Sequence, residues 1–317
     1  MKKAYFGKIL PFYLLSILFA SPLYADAYQI NLDQFDKETM TRILKTHGSF
    51  EIVGPSVEAL SESAIAALDQ AKTVFDLGPE VLSRVYHKSN FHGFQNVQSE
   101  SYEKFLKDGK TPVRNQFAFH FKPYLADSIP VLPEDIENLK AYSNYYSNSM
   151  ALLHRLYGKL AEAYHIPIER LTNFKAGPDT SALTSRKYFP DAKGTTGIPP
   201  HSDYGLLTLL VSDRDGLEIL EGENTKTGKW IHTSCATPYG PRFYINVGDW
   251  LLFQIGNKEF VAGVHQVPPV DHDRYSLAVF LNPPHVQKLT TFTGVEVNYG
   301  DYLRSDKKAF HINPRLE

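Results

Sequence analysis

Apolar residues between positions 60 and 75 recur at Leu60, Ala64, Leu68, Ala71 and Phe75, and spacings of three and four place them on one face of a helix. A longer stripe follows Pro133 through Ile136, Leu139, Tyr146, Met150, Leu153, Leu160 and Tyr164, until Pro167 stops it. Both predict packing helices, because aromatic and Met residues on such a stripe serve a core. After about Phe174 the period changes. Short β-rich runs separated by turn residues cover 206–211, 216–220, 230–233, 242–247, 250–255, 260–267 and 275–281. Strands at this spacing predict a sandwich or jelly roll, with Gly248-Asp249 and Gly256-Asn257 as tight connections that need positive φ. No internal repeat and no Gly/Ser-rich linker divides the chain.

The first residues follow a different logic. Lys2, Lys3 and Lys8 precede an apolar run over 9–20, and small residues over 21–27 offer cleavage sites after Ala25 or Ala27. That order predicts a secretory signal peptide, 1–25, and export to a periplasm or the exterior; an uncleaved chain would stay cytoplasmic. The run is about twelve residues against the roughly 20 needed to span a bilayer, so stable membrane insertion is not expected. A buried strand or helix is the alternative reading. Cys235 is the single cysteine, which excludes an intramolecular disulfide but fits either compartment.

At 317 residues, 43% hydrophobic and 21% charged, the chain can bury one sizeable core with a helical annex. A formal net charge of -2, with no long run of Lys or Arg, offers no electrostatic footprint for nucleic acid or an anionic membrane. A small-molecule or peptide substrate, and a monomer, are the expectations.

Candidate chemistry begins at His201-Ser202-Asp203. On a strand, positions i and i+2 project from the same face, so imidazole and carboxylate would point at one metal. With 12 histidines in the chain, a lone His-x-Asp occurs near chance frequency. His265 lies in an apolar run, 261–267, where it reads either as a hydrogen-bonded core histidine or as a third ligand. Two His and one carboxylate make the facial triad of non-haem Fe(II) oxygenases, although a zinc hydrolase could use the same set. Nine residues on, Arg274-Tyr275-Ser276 sets a guanidinium and a hydroxyl on one face of the next strand. Arg274 reads either as a surface ion-pair partner or as an inward grip on a carboxylate, and the core strand that follows favours the second.

These residues, taken in order, resemble the isopenicillin N synthase-like branch of the 2-oxoglutarate/Fe(II) oxygenases. The resemblance runs from about Phe174 to Pro284. His201-Ser-Asp203-Tyr-Gly-Leu-Leu-Thr-Leu-Leu looks like the first-ligand strand, Gly216-Leu-Glu-Ile-Leu with Trp230 the next hairpin, and Asn246-Val-Gly-Asp249 the following turn. Gly256-Asn257 to His265 looks like the second histidine strand, and Arg274-Tyr-Ser-Leu-Ala-Val-Phe-Leu-Asn-Pro283 the co-substrate strand. The resemblance is fainter before these, at Gly48-Ser-Phe-Glu-Ile-Val and Val74-Phe75.

It implies a mainly β fold with flanking helices, a distorted double-stranded β-helix (jelly roll) with a helical N-terminal region. The divisions would be 1–25 signal peptide, 26–173 helical region, 174–290 oxygenase core and 291–317 C-terminal extension. It implies Fe(II) on His201, Asp203 and His265, and 2-oxoglutarate as co-substrate with its distal carboxylate on Arg274 and Ser276. O2 would be the oxidant of a reaction, hydroxylation by default, that releases succinate and CO2. One departure stands out: where the family often has Tyr directly before Pro, Phe189 precedes Pro190. Tyr188 would then face away on its strand, with Lys187 a candidate compensating charge. Two rivals remain: an oxidase of the same fold that does not use 2-oxoglutarate, and a non-catalytic exported binding module.

Overall fold

The computed structural model describes residues 28–85, 92–123, 139–167, 169–170, 180–190, 195–305 and 314–316. The expected signal peptide and Ile136 lie outside the described residues. Among the described residues no helix is long and apolar enough to cross a membrane.

Two sheets carry the architecture. Strands from the first half are β1 (Gln29–Asn31), β2 (Ser49–Val53), β3 (Gly93–Gln95) and β4 (Gln116–Phe121). Next come β5 (Ala182–Tyr188), β6 (Ile198–His201), β7 (Leu207–Ser212), β8 (Glu218–Glu221) and β9 (Lys229–His232). The short hairpin β10 (Ala236–Thr237) and β11 (Gly240–Pro241) leads to β12 (Phe243–Val247), β13 (His265–Val267) and β14 (Arg274–Leu281), before a last hairpin, β15 (Lys288–Thr290) and β16 (Glu296–Asn298). The major sheet runs β1-β2-β12-β7-β14-β5-β4-β3 and the minor sheet β6-β13-β8-β9. The region expected to be helical therefore supplies four strands of the major sheet as well.

Helices flank the sheets. They are α1 (Lys37–Thr46), α2 (Pro55–Glu58), α3 (Ser61–Asp76), α4 (Gly78–Leu82), α5 (Val97–Asp108), α6 (Lys140–Tyr164), α7 (Asp249–Ile255) and α8 (Tyr299–Arg304). The predicted stripe on α3 is buried at Ala64, Leu68, Ala71 and Phe75, joined by Ala67 and Val74. On α6 Leu153 and Leu160 are buried with Leu152, Leu156 and Tyr157, while Met150 and Tyr164 stay partly exposed at the margin. Burying one such side chain contributes about 1.5–3 kcal/mol, so these stripes hold the helices on the sheet. Tyr142 of α6 donates its hydroxyl to Ser185 Oγ of β5 at 2.8 Å.

Period-two alternation sorts the rest. Along β14, Tyr275, Leu277, Val279 and Leu281 pack in the helix-covered core, whereas Arg274, Ser276, Ala278 and Phe280 face a cavity between the sheets. The register carries that face across the sheet: Arg274 pairs Tyr188 and Ser276 pairs Arg186, while Phe280 pairs Thr208, which in turn pairs Asn246.

Three sequence expectations fail locally. Residues 250–255 form α7, not a strand. A short, mostly apolar run has no readable period, and Asp249 at its start with Gly256 in the left-handed region at its end (φ +75°) are helix-boundary signals. Gly248 has φ -87°, so it is not a positive-φ turn; a Cβ there would lie 2.2 Å from the Gly205 carbonyl oxygen. Over 260–267 only His265–Val267 is strand. The preceding backbone bonds elsewhere, Val261 N–H to the Leu44 carbonyl (2.7 Å) and Gly263 N–H to the Val247 carbonyl (3.0 Å), because it is pressed against Gly48 and Ser49.

Candidate metal centre

β6 and β13 are antiparallel neighbours, and their register sets His201 opposite His265. The two rings lie 4.1 Å apart between centroids. Strand β6 ends at His201, so Asp203 does not sit beside it on a strand as expected. It comes from the loop that follows, which α7 fixes: Asp249 N–H donates to the Asp203 carbonyl (2.9 Å) and Gly248 N–H to the Leu206 carbonyl (2.9 Å). That bend returns the carboxylate to the histidines.

Asp203 Oδ1 is 3.9 Å from His201 Nε2, and Oδ2 is 4.0 Å from His265 Nε2. Two donors each about 2.0–2.2 Å from one ion are at most about 4.4 Å apart, so both separations suit a shared metal. His201 Nδ1 lies 3.0 Å from the Pro199 carbonyl and His265 Nδ1 3.2 Å from that of Gly263. Donation to those carbonyls leaves each Nε2 lone pair for the ion. Burial, then proximity to His265, pushes His201 below its ordinary value, which keeps the ring neutral. Burial acts to raise the Asp203 carboxyl, but the two histidines with hydrogen bonds from Thr208 and Asn246 outweigh it, so the group stays ionised.

Asn246 supports the triad. The β-rich run 242–247 included it while the resemblance made it the start of a turn; it lies in β12, fully buried, accepting from Ser49 Oγ at 2.8 Å. Its Nδ2 donates to Asp203 Oδ2 at 3.4 Å and lies 3.1 and 3.2 Å from the ring nitrogens of His265.

The cavity that holds the triad also holds Arg274 and Ser276. Arg274 is buried, which removes the surface ion-pair reading, and no described acid pairs with it. Its Nε donates to the carbonyls of Arg214 and Asp215, both at 3.1 Å, while Nη1 is buried without any acceptor. A buried guanidinium with a free donor facing a cavity fits a carboxylate ligand. Gly216 makes room, since a Cβ there would come within 3.2 Å of Arg274 Nε.

Tyr188 was expected to face away, and it does not. Its register partner is Arg274, whose guanidinium carbon sits 5.0 Å from the centre of the Tyr188 ring inside the same cavity. Lys187 takes the opposite face, 3.0 Å from Asp273 and over the rings of Phe189 and Tyr275, so it brings no charge to the cavity. Arg186 and Tyr244 line the site without having been singled out for it; Arg186-x-Tyr188 at i and i+2 was the available signal.

Residues 179–283 match the 2OG-Fe(II) oxygenase superfamily, and all five candidate residues fall in that stretch. Over that third of the chain the sequence is that of the 2-oxoglutarate/Fe(II) oxygenase superfamily. The oxoglutarate-dependent flavonoid 7-O-demethylase 1 of Ocimum basilicum is 32% identical over 51% of this chain, and jasmonate-induced oxygenase 1 of Arabidopsis thaliana 24% identical over 78%. The matched segments span 41% and 60% of those two relatives' lengths. A full-length Neurospora crassa protein, crystallised in complex with alpha-KG, shares the fold with a TM-score of 0.67 at 20% identity, over 87% of this chain and 94% of that one. A mixed β core with flanking helices is thus the architecture common to this chain and its structural neighbour.

Proposed function

We propose that the chain is an Fe(II)- and 2-oxoglutarate-dependent oxygenase that hydroxylates a small molecule. The observation that carries this reading is the buried Arg274 with its unsatisfied Nη1, opening onto the cavity of the two-histidine, one-carboxylate triad. A dicarboxylate co-substrate needs such a grip at its far end. His201, Asp203 and His265 would hold Fe(II); Arg274 and Ser276 would bind the distal carboxylate of 2-oxoglutarate. Bound there, iron with 2-oxoglutarate supplies the oxidising chemistry from O2, with release of succinate and CO2.

The chain's own contribution is placement and exclusion of water. Tyr188 and the two carbonyls fix the plane of the Arg274 guanidinium, which sets the direction of the co-substrate. Leu210, Leu217, Val267 and Phe280 provide apolar walls. The three ligands would hold the ion from one side and leave it accessible to co-substrate and O2.

Within the superfamily we place the chain in the isopenicillin N synthase-like branch, with the major and minor sheets as the two halves of a distorted double-stranded β-helix; the order of strands from β6 to β14 supports this. The flavonoid named for the basil relative supports a small molecule over a peptide. The leader-like order of residues 1–25 supports export, which the mass of the protein in cell fractions tests.

O2 consumption with and without 2-oxoglutarate tests the reaction. Succinate formation that requires 2-oxoglutarate supports it. Consumption independent of 2-oxoglutarate favours the oxidase, with Arg274 and Ser276 on a substrate carboxylate. No Fe(II) binding in anaerobic titration favours the binding module.

A further inference from the structure

A second cavity shares Arg186, Ile198, His201, Asp203 and Phe280 with the first and reaches outward from the triad to Arg114 and Gln116. Among the described residues its only acidic lining group is Asp203, which the triad uses. Neither Arg114 nor Arg186 forms an ion pair with a described residue. Arg186 Nη1 donates to Gln116 Oε1 at a long 3.3 Å, and Gln116, fully buried, keeps an Nε2 without an acceptor. Burial, then the charge of Arg186, holds the Arg114 guanidinium below its ordinary value, and both cations line this one cavity.

The placement is rigid. Arg114 bridges Thr196 and donates its N–H to Ser101 Oγ at 2.9 Å, while the next residue, Asn115, donates its side chain to the carbonyls of Phe189 (3.0 Å) and Pro190 (2.8 Å). Charge balance points the same way. With iron and 2-oxoglutarate bound, the ion and Arg274 are offset by Asp203 and the two carboxylates of the co-substrate. Arg114 and Arg186 remain uncompensated, and half-buried guanidiniums left so are costly unless a ligand pairs them.

We infer that this cavity takes a substrate bearing a carboxylate, held by Arg114, Arg186 and Gln116 Nε2, with its apolar skeleton along Ile198, Phe280 and Leu303 toward the triad. The inference rests on the oxygenase reading and names the substrate class for it. Two guanidiniums and a neutral amide donor match a carboxylate's in-plane acceptors, and the amide adds no charge.

Calorimetric titration of the full chain tests it, using Mn(II) in place of iron so that no turnover occurs, with 2-oxoglutarate saturating. The probes are hexanoate and phenylacetate, each against its primary amide at fixed ionic strength. At least one acid should bind about tenfold or more tightly than its amide. The preference should fall to near parity in Arg114→Gln and be partly restored in Arg114→Lys, with 2-oxoglutarate affinity unchanged in both. No preference for either acid, or a preference that survives Arg114→Gln, overturns the inference. Equal weakening of 2-oxoglutarate in an Arg186→Gln control would assign Arg186 to the co-substrate and overturn its place here. Failure of the Mn(II) protein to bind 2-oxoglutarate would sink the oxygenase reading instead, with the acid-over-amide preference still measurable.

Discussion

Arg274 and Tyr188 face each other across the β5–β14 ladder, and the guanidinium carbon rests 5.0 Å from the centre of the phenol ring. The ring holds the cation in place through its face. Tyr188→Phe keeps that face and should change 2-oxoglutarate affinity less than about threefold, whereas Tyr188→Ala should weaken it about five- to tenfold, for a contact worth roughly 1 kcal/mol. Arg274→Gln should cost about a hundredfold or more, since a charge-assisted bidentate pair is lost. Titration of 2-oxoglutarate into the Mn(II) protein reads all three; a loss in Tyr188→Phe as large as that in Tyr188→Ala would show that the hydroxyl, not the ring face, matters.

Asn246 touches both Asp203 and His265 but is not itself a ligand. Asn246→Ala should lower Fe(II) affinity about 10–100-fold while leaving some binding, whereas His265→Ala or Asp203→Ala should abolish it. Anaerobic titration measures this. Chelation should lower the melting temperature of the wild-type protein, because a ligand at a hundred times its Kd stabilises by about 2.7 kcal/mol, and should leave that of His265→Ala unchanged.

Gly248 lets α7 approach the loop that carries Asp203. Gly248→Ala would drive a Cβ to 2.2 Å from the Gly205 carbonyl oxygen, and backbone, not a flexible side chain, would have to move. The expected result is a loss of about 1–3 kcal/mol by urea denaturation with weakened metal binding. Unchanged metal affinity would mean that Asp203 is positioned without this contact.

His120, away from the metal ligands, is bonded to Thr184 and Gln95 and is lowered from 6.5 to about 3, chiefly by burial. The folded state therefore binds fewer protons than the unfolded one between those values, and stability present above pH 6.5 is lost as pH falls toward 3. One such group gives a slope of at most about 1.4 kcal/mol per pH unit. His120→Gln should flatten the pH dependence of urea denaturation between about pH 6.5 and 4; identical slopes would remove His120 as the cause.

Much of the site was legible because its parts are local. His201-x-Asp203 and Arg274-x-Ser276 each lie within three residues, and the strand containing Arg274 alternates cleanly. What failed were elements whose partners are distant. The mostly apolar run 250–255 carries no period, so its helix shows in its boundary residues Asp249 and Gly256 and in the packing of Trp250 and Phe253 against Tyr302. Tyr188 was assigned to the wrong face because counting back from Pro190 presumed a position that the β5–β14 register, not the proline, sets.

The sequence by itself determined the chemical inventory and its order: two packing helices, a β-rich second half, and His201, Asp203, His265 and Arg274 in succession. Only the tertiary structure decided how these meet. Antiparallel pairing of β6 with β13 brings His201 to His265, the loop clamped by α7 returns Asp203, and β4, from the half read as helical, delivers Gln116 beside Arg186. Side-chain identity is written residue by residue, but which cations end up facing one cavity without a counter-charge depends on strand register between segments 70 residues apart.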